Sequence, residues 1–157
     1  MDDLSLARAI HVLAVVHWIG GVAMVTAVIL PAISHMTAPG ERLRAFESIE
    51  GRFSRQARVS TLLAGVTGVY MTARLSAWDR FLDPDFWWMH AMVALWAIFT
   101  FVLFVAEPLF LHRWFHERAA RNPDGTFRLV MQVHWLLLTL SLVTIAGAVL
   151  GAHGALS

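Results

Sequence analysis

Two histidines stand six residues apart in the run HVLAVVHWIGG, His11 and His17, and two more lie inside later apolar stretches, His90 and His134. An imidazole inside a bilayer is costly and normally faces a bundle interior, a cavity or a cofactor. Three kinds of chemistry are open to such a set: haem ligation, ligation of a soft or borderline metal, and hydrogen bonding between helices. The chain has no Cys, which excludes disulfides, thiolate ligands, iron–sulfur clusters, cysteine nucleophiles and c-type haem attachment. All twelve basic residues are Arg, so no lysine Schiff base can form. A net charge of +1 gives no reason to expect a nucleic-acid partner.

The elements that must hold these histidines are apolar and long. Of the 157 residues, 58% are hydrophobic, and they fall in runs that suit a bilayer rather than a soluble core. The spacing predicts an all-α, integral membrane four-helix bundle forming a single transmembrane domain over residues 1–157. Its helices run from about Arg8 to Leu30, Val59 to Leu75, Phe86 to Leu111 and Phe127 to Leu150. Pro31 is expected to end the first helix, Pro108 to bend or break the third, and Thr126 to cap the fourth after the turn Asn122-Pro123-Asp124-Gly125. The acidic start MDDLSLAR lacks the basic n-region of a signal peptide, so the first run reads as a retained helix. Between Glu41 and Arg58, Leu43, Phe46, Ile49 and Phe53 recur at helical spacing opposite arginines. That stretch is either an amphipathic helix in the interface or an extension of the second helix.

Loop arginines orient the bundle. Arg42, Arg44, Arg52, Arg55 and Arg58 lie between the first two helices, and Arg113, Arg118, Arg121 and Arg128 between the last two; only Arg8, Arg74 and Arg80 lie opposite. The bias predicts both of these loops in the cytoplasm and both termini outside. His11 and His90 then share a depth roughly 5–6 Å below the outer boundary, at ~1.5 Å per residue. His17 is nearer the midplane and His134 is in the inner half. His11 and His17 differ by ~240° around their helix and ~9 Å along it, so they cannot chelate one ion. The other four histidines, His35, His112, His116 and His153, fall at the interfaces and need no cofactor.

Two readings use the outer pair. In one, His11 and His90 are the axial ligands of a b-type haem between helices 1 and 3. Arg8 and Arg74 then pair with propionates, and Gly65 and Gly68 let helix 2 approach the ring. In the other, Met71, Met89 and Met92 join His90 in a Cu(I) site, with Met71 and Met92 as the thioether ligands. A third reading has the histidines only fixing helix packing. A second, inner haem at His134 with Met24 and Met131 is a further arrangement, and His17 and His134 are counted with the cofactor-binding candidates. Glu107, beside Pro108, either relays protons or pairs with Arg113 or His112. The tryptophans Trp78, Trp87, Trp88 and Trp114 fit interfacial belts.

The first helix, with His11, Trp18, Gly20, Gly21 and Pro31, resembles the opening helix of the bacterial copper-resistance D family of membrane proteins. The stretch Arg52-Phe53-Ser54 followed by Thr67-Gly68 is similar to the same family, and the likeness covers roughly the first half of the chain. The spacing from His11 to Trp18, and the run Trp88-Met89-His90-Ala91-Met92, also resemble the J-type protoporphyrinogen IX oxidases, which are small haem-binding membrane proteins. Met92 stands where that family has Lys, and Thr26-Ala27-Val28 replaces its Leu-Pro-Arg. The first resemblance implies copper uptake or handling. The second implies haem binding, without carrying over the oxidase activity. The expectation is therefore a haem b protein of the membrane with an electron-transfer or redox role, either as an oxidoreductase or as a non-catalytic subunit. Its partners would be the lipid bilayer and a redox protein or quinone, with a homo-oligomer open. The alternatives are a copper-handling protein and a cofactor-free assembly subunit.

Overall fold

The computed structural model describes residues 2–154. Four long helices account for nearly all of them: α1 (Asp3–Met36), α2 (Arg42–Arg74), α3 (Pro84–Arg121) and α4 (Pro123–Ala152). Helices α1, α3 and α4 are long and apolar enough to cross a membrane. Helix α2 is not among them, because arginines and small polar residues dilute its apolar content. Its second half still turns Val59, Leu62, Val66 and Val69 outward, and α1 and α4 expose Leu13, Val16, Leu136 and Val143. An apolar exterior of this extent is foreign to a soluble monomer and suits lipid.

Both prolines expected to stop or break helices lie inside them. The residues ahead of Pro31 form a π-helical segment, Val25–Ile29, in which the Leu30 N–H reaches back five residues to the Val25 carbonyl. The widened turn relieves the contacts that a proline ring and its missing N–H would disturb, and α1 continues to Met36. Pro108 sits within a longer π segment, Val102–Leu111, and α3 runs on to Arg121. The cap of α4 is Asn122 rather than Thr126. The Asn122 carboxamide oxygen accepts from the Gly125 N–H at 2.8 Å, and Pro123 fits the first helical position. Thr126 is buried one turn inside and returns its hydroxyl to the Asn122 carbonyl.

The stretch 41–58 is the first half of α2, continuous with the apolar half. Leu43, Phe46, Ser54, Ala57, Thr61 and Ala64 are buried, a stripe at spacings of three, four and eight that faces the bundle throughout. Small residues in this stripe let α2 lie along α1, its main neighbour. The mid-bundle core joins Trp18, Val22, Ala57, Leu95, Phe99 and Leu138. Trp18 stands edge-on to Phe99, with ring centroids 4.8 Å apart. A second core at the Arg-rich end joins Val25, Leu30, Phe46, Phe127 and Val130. Glycines receive aromatic rings: Trp88 packs where a Cβ on Gly151 would come within 2.5 Å, and Trp87 where one on Gly147 would come within 2.6 Å.

Candidate functional site

The four histidines of the apolar stretches all have defined partners. His11 projects from α1 onto α2, where Nδ1 lies 3.0 Å from the Ala64 carbonyl and 3.0 Å from the Thr67 hydroxyl. The Thr67 hydroxyl donates to the Leu63 carbonyl at 2.6 Å, so its oxygen and the Ala64 carbonyl are both acceptors for a proton on Nδ1. That tautomer leaves the Nε2 lone pair as the ring's free donor, the arrangement found in metal-bound histidines. Gly68 lies beside the ring, with its missing Cβ position 3.5 Å from His11 Cε1.

His17 reaches the same helix from the other flank. Its Nδ1 lies 2.9 Å from the Ser60 hydroxyl and its Nε2 2.6 Å from the Gln56 amide nitrogen. Both ring nitrogens are used, so His17 ties α1 to α2. His134 returns Nδ1 to the Val130 carbonyl one turn earlier and stands edge-on to Phe46. Met24 is on the outer surface and Met131 is half-buried.

His90 is exposed and turned to the loop before α3. Its Nε2 lies 2.9 Å from the Phe81 carbonyl, and its ring is edge-on to Phe81. His11 and His90 thus address different parts of the fold rather than a shared gap. Gly65 is filled by Trp96, whose indole N–H donates to the Thr61 carbonyl at 2.9 Å. Arg74 pairs with Asp3 at 3.2 Å, and Arg8 is exposed. Met71, Met89 and Met92 are half-buried on α2 and α3. Two cavities, of about 460 and 270 Å³, open at opposite ends of the bundle, and none of the four histidines lines them. Among the described residues no cluster of three or more His, Asp or Glu side chains is grouped for a metal ion. On its donor chemistry His11 fits an axial haem ligand; His90 would have to leave the Phe81 carbonyl to become the second.

A second polar centre surrounds Glu107. Pro108 has no N–H to offer the Leu103 carbonyl five residues back in the π segment, and Arg58 Nε donates to that oxygen at 2.9 Å. The same guanidinium places Nη2 3.3 Å from Glu107 Oε1. Glu107 is 8% exposed, and the Ser54 hydroxyl lies 2.6 Å from both of its carboxyl oxygens. The partner of Glu107 is therefore Arg58. Arg113 lies 3.5 Å from Glu117 instead, and His112 reaches only the Glu107 main-chain carbonyl. Glu50, in the half of α2 that precedes its apolar part, has its carboxyl pushed up to about 7. Burial is the main cause, with the Glu107 carboxylate adding to it. The i, i+4 and i, i+8 spacing of Glu50, Ser54 and Arg58 is visible in the sequence, but their shared partner on α3 is not.

Comparison with protein-family models, with curated proteins and with solved structures returned no match for this chain.

Proposed function

We propose that this chain is an integral membrane protein that binds haem b through His11 and serves one-electron redox chemistry. The observation that carries the reading is the His11 ring, anchored through Nδ1 to the Ala64 carbonyl with Nε2 left as a donor. To hold the same iron, His90 would have to leave the Phe81 carbonyl and move toward His11. When bound, haem supplies a one-electron couple. The chain's contribution is to fix the His11 tautomer, to leave room beside it at Gly68 and to keep water from the packed core around Trp18 and Phe99. The electron partner is a membrane quinone or a redox protein, and the bundle sits in a bacterial inner membrane with its Arg-rich end in the cytoplasm.

The test is the visible spectrum of protein purified in detergent and supplied with haem, read oxidised and reduced. A Soret band with sharp reduced bands, lost in His11→Ala, is the expected result. A His11→Ala variant with a wild-type spectrum and normal folding would overturn it. A protein with no haem bands and stoichiometric bound copper would establish the copper-handling alternative.

A further inference from the structure

The corner where α1 ends and α4 begins holds a cavity of about 270 Å³. Ser34 lines it from the last turns of α1, Arg42 from the first turn of α2, and Asp124, Phe127, Arg128 and Met131 from the start of α4. Arg42 is held in place at two points. Its Nε donates to the Thr37 carbonyl at 3.0 Å and its Nη1 to Asp124 Oδ1 at 2.8 Å. A guanidinium has further N–H donors, and these remain for a ligand. Arg128 stands one turn beyond Asp124 and is exposed; among the described residues its guanidinium has no ion pair or hydrogen bond. The half-buried Ser34 hydroxyl likewise has no hydrogen bond among them.

The lining therefore carries two positive groups against one negative group, with donors that lack acceptors. Its charge suits a ligand of charge −1. The donors come from three helices, which suits the tetrahedral oxygens of a phosphate better than the two coplanar oxygens of a carboxylate. Buried Phe127 and half-buried Met131 make the remaining wall apolar. The cavity also lies at the level of lipid phosphates. Ser34 is two residues from the end of the first apolar helix, and Asp124 is the second residue of the last. Arg44, Arg55, Arg113 and Arg121 belong to the same end of the chain's topology, and basic pockets between helices on that side suit anionic headgroups.

We propose that this cavity binds the phosphate of an anionic phospholipid. Arg42 and Arg128 hold its oxygens, Ser34 donates to it, and the glycerol end packs on Phe127 and Met131. The volume falls just below that of drug-sized pockets, which suits a headgroup with its acyl chains outside. The bound phosphate ties the end of α1 to the starts of α2 and α4, a corner where Arg42 with Asp124 is the one ion pair among the described residues. The inference rests on the chain being a membrane protein and not on haem.

Native mass spectrometry of the detergent-solubilised protein tests it, with phosphatidylglycerol, phosphatidylcholine and inorganic phosphate as separate probes. The expected result is a stoichiometric phosphatidylglycerol adduct, with phosphatidylcholine held more weakly because its headgroup is neutral overall. Arg128→Gln should weaken phosphatidylglycerol binding about tenfold, the loss of one charge-assisted hydrogen bond. Arg55→Gln removes an exposed arginine outside the cavity and should leave it unchanged. Phosphatidylglycerol should also raise the unfolding midpoint of the wild type and not that of Arg128→Gln. If Arg128→Gln fails to fold, Ser34→Ala carries the same comparison with Arg55→Gln. Equal binding of the two lipids, or equal losses in the cavity variant and in Arg55→Gln, would mean only general attraction to a basic surface and overturns the proposal. Stoichiometric inorganic phosphate with no phosphatidylglycerol adduct assigns the cavity to a soluble anion and overturns the lipid. A chain that stays dissolved without detergent overturns the membrane reading itself, an outcome distinct from a detergent-bound chain with no lipid preference.

Discussion

Arg58 Nε donates to the carbonyl of Leu103, the oxygen to which Pro108 has no N–H to offer. One guanidinium thereby closes the gap in the α3 ladder and pairs with Glu107. Lysine cannot do both, because it has a single point charge where arginine has a fork. Arg58→Lys should lower stability by about 1–3 kcal/mol, the cost of one unpaired buried acceptor. Pro108→Ala restores the N–H and should recover part of that loss in the double variant. Thermal unfolding in detergent measures both, and a strictly additive pair would show that the two residues do not share this carbonyl.

His17 and His11 both bond to α2, yet only His11 keeps a free ring nitrogen. His17→Ala should leave a haem spectrum unchanged while lowering the unfolding midpoint, by about 1 kcal/mol for the lost interhelical hydrogen bonds. His90→Ala should change the spectrum from six-coordinate to five-coordinate without abolishing it. A spectrum that collapses in His17→Ala and survives in His11→Ala would move the ligand about 1.7 turns down α1.

Glu50 should give stability a visible pH dependence. Its folded-state value of about 7 lies above the ordinary 4.5, so the folded protein binds the extra proton between those values. This contribution is greatest below about pH 4.5 and is lost as pH rises through about 7. Glu50→Gln should flatten the fall in unfolding midpoint across that window. At about pH 8 it should stabilise the protein by on the order of 2 kcal/mol, after allowing for solvent screening at a half-buried site. An identical pH profile in the variant would show that the Glu50 carboxyl is ordinary.

Gly65 and Gly151 are sockets for indoles. A Cβ on Gly65 meets Trp96 at 2.7 Å, and one on Gly151 meets Trp88 at 2.5 Å. Either glycine changed to alanine should cost about 1–3 kcal/mol through overpacking. Gly20 has nothing within 4 Å, and Gly20→Ala serves as the control that should be neutral or slightly stabilising. Equal losses at all three positions would point to a backbone effect instead.

The four apolar stretches, their order and the helical character of residues 41–58 were legible because periodicity and run length report burial directly. The path of the chain through its prolines was not. Pro31 reads as a stop and Pro108 as a bend or break under α-helical hydrogen bonding, and a π turn changes which carbonyl each proline deprives. The site was legible by residue type and depth only. His11 and His90 were placed at one level from helix ends, but rotation about each helix decides what a ring meets. The structure turns His11 to Ala64 and His90 to Phe81. The pairing of Glu107 with Arg58 was hidden because its residues are far apart in sequence and joined only by the packing of α2 on α3.

Helix α2 is 33 residues long without interruption, about 50 Å at ~1.5 Å per residue. That exceeds the ~30 Å hydrocarbon layer by a wide margin. A stiff rod anchored through its apolar half behaves as a lever. Tilting it by about 10° sweeps the far end through roughly 9 Å, given that length. Membranes of different thickness impose different tilts on a helix. The contact most exposed to that leverage is Glu47 with His116, which joins the free end of α2 to the last turns of α3. Bilayer thickness would thus be transmitted mechanically to a contact that lies beyond the apolar half of α2.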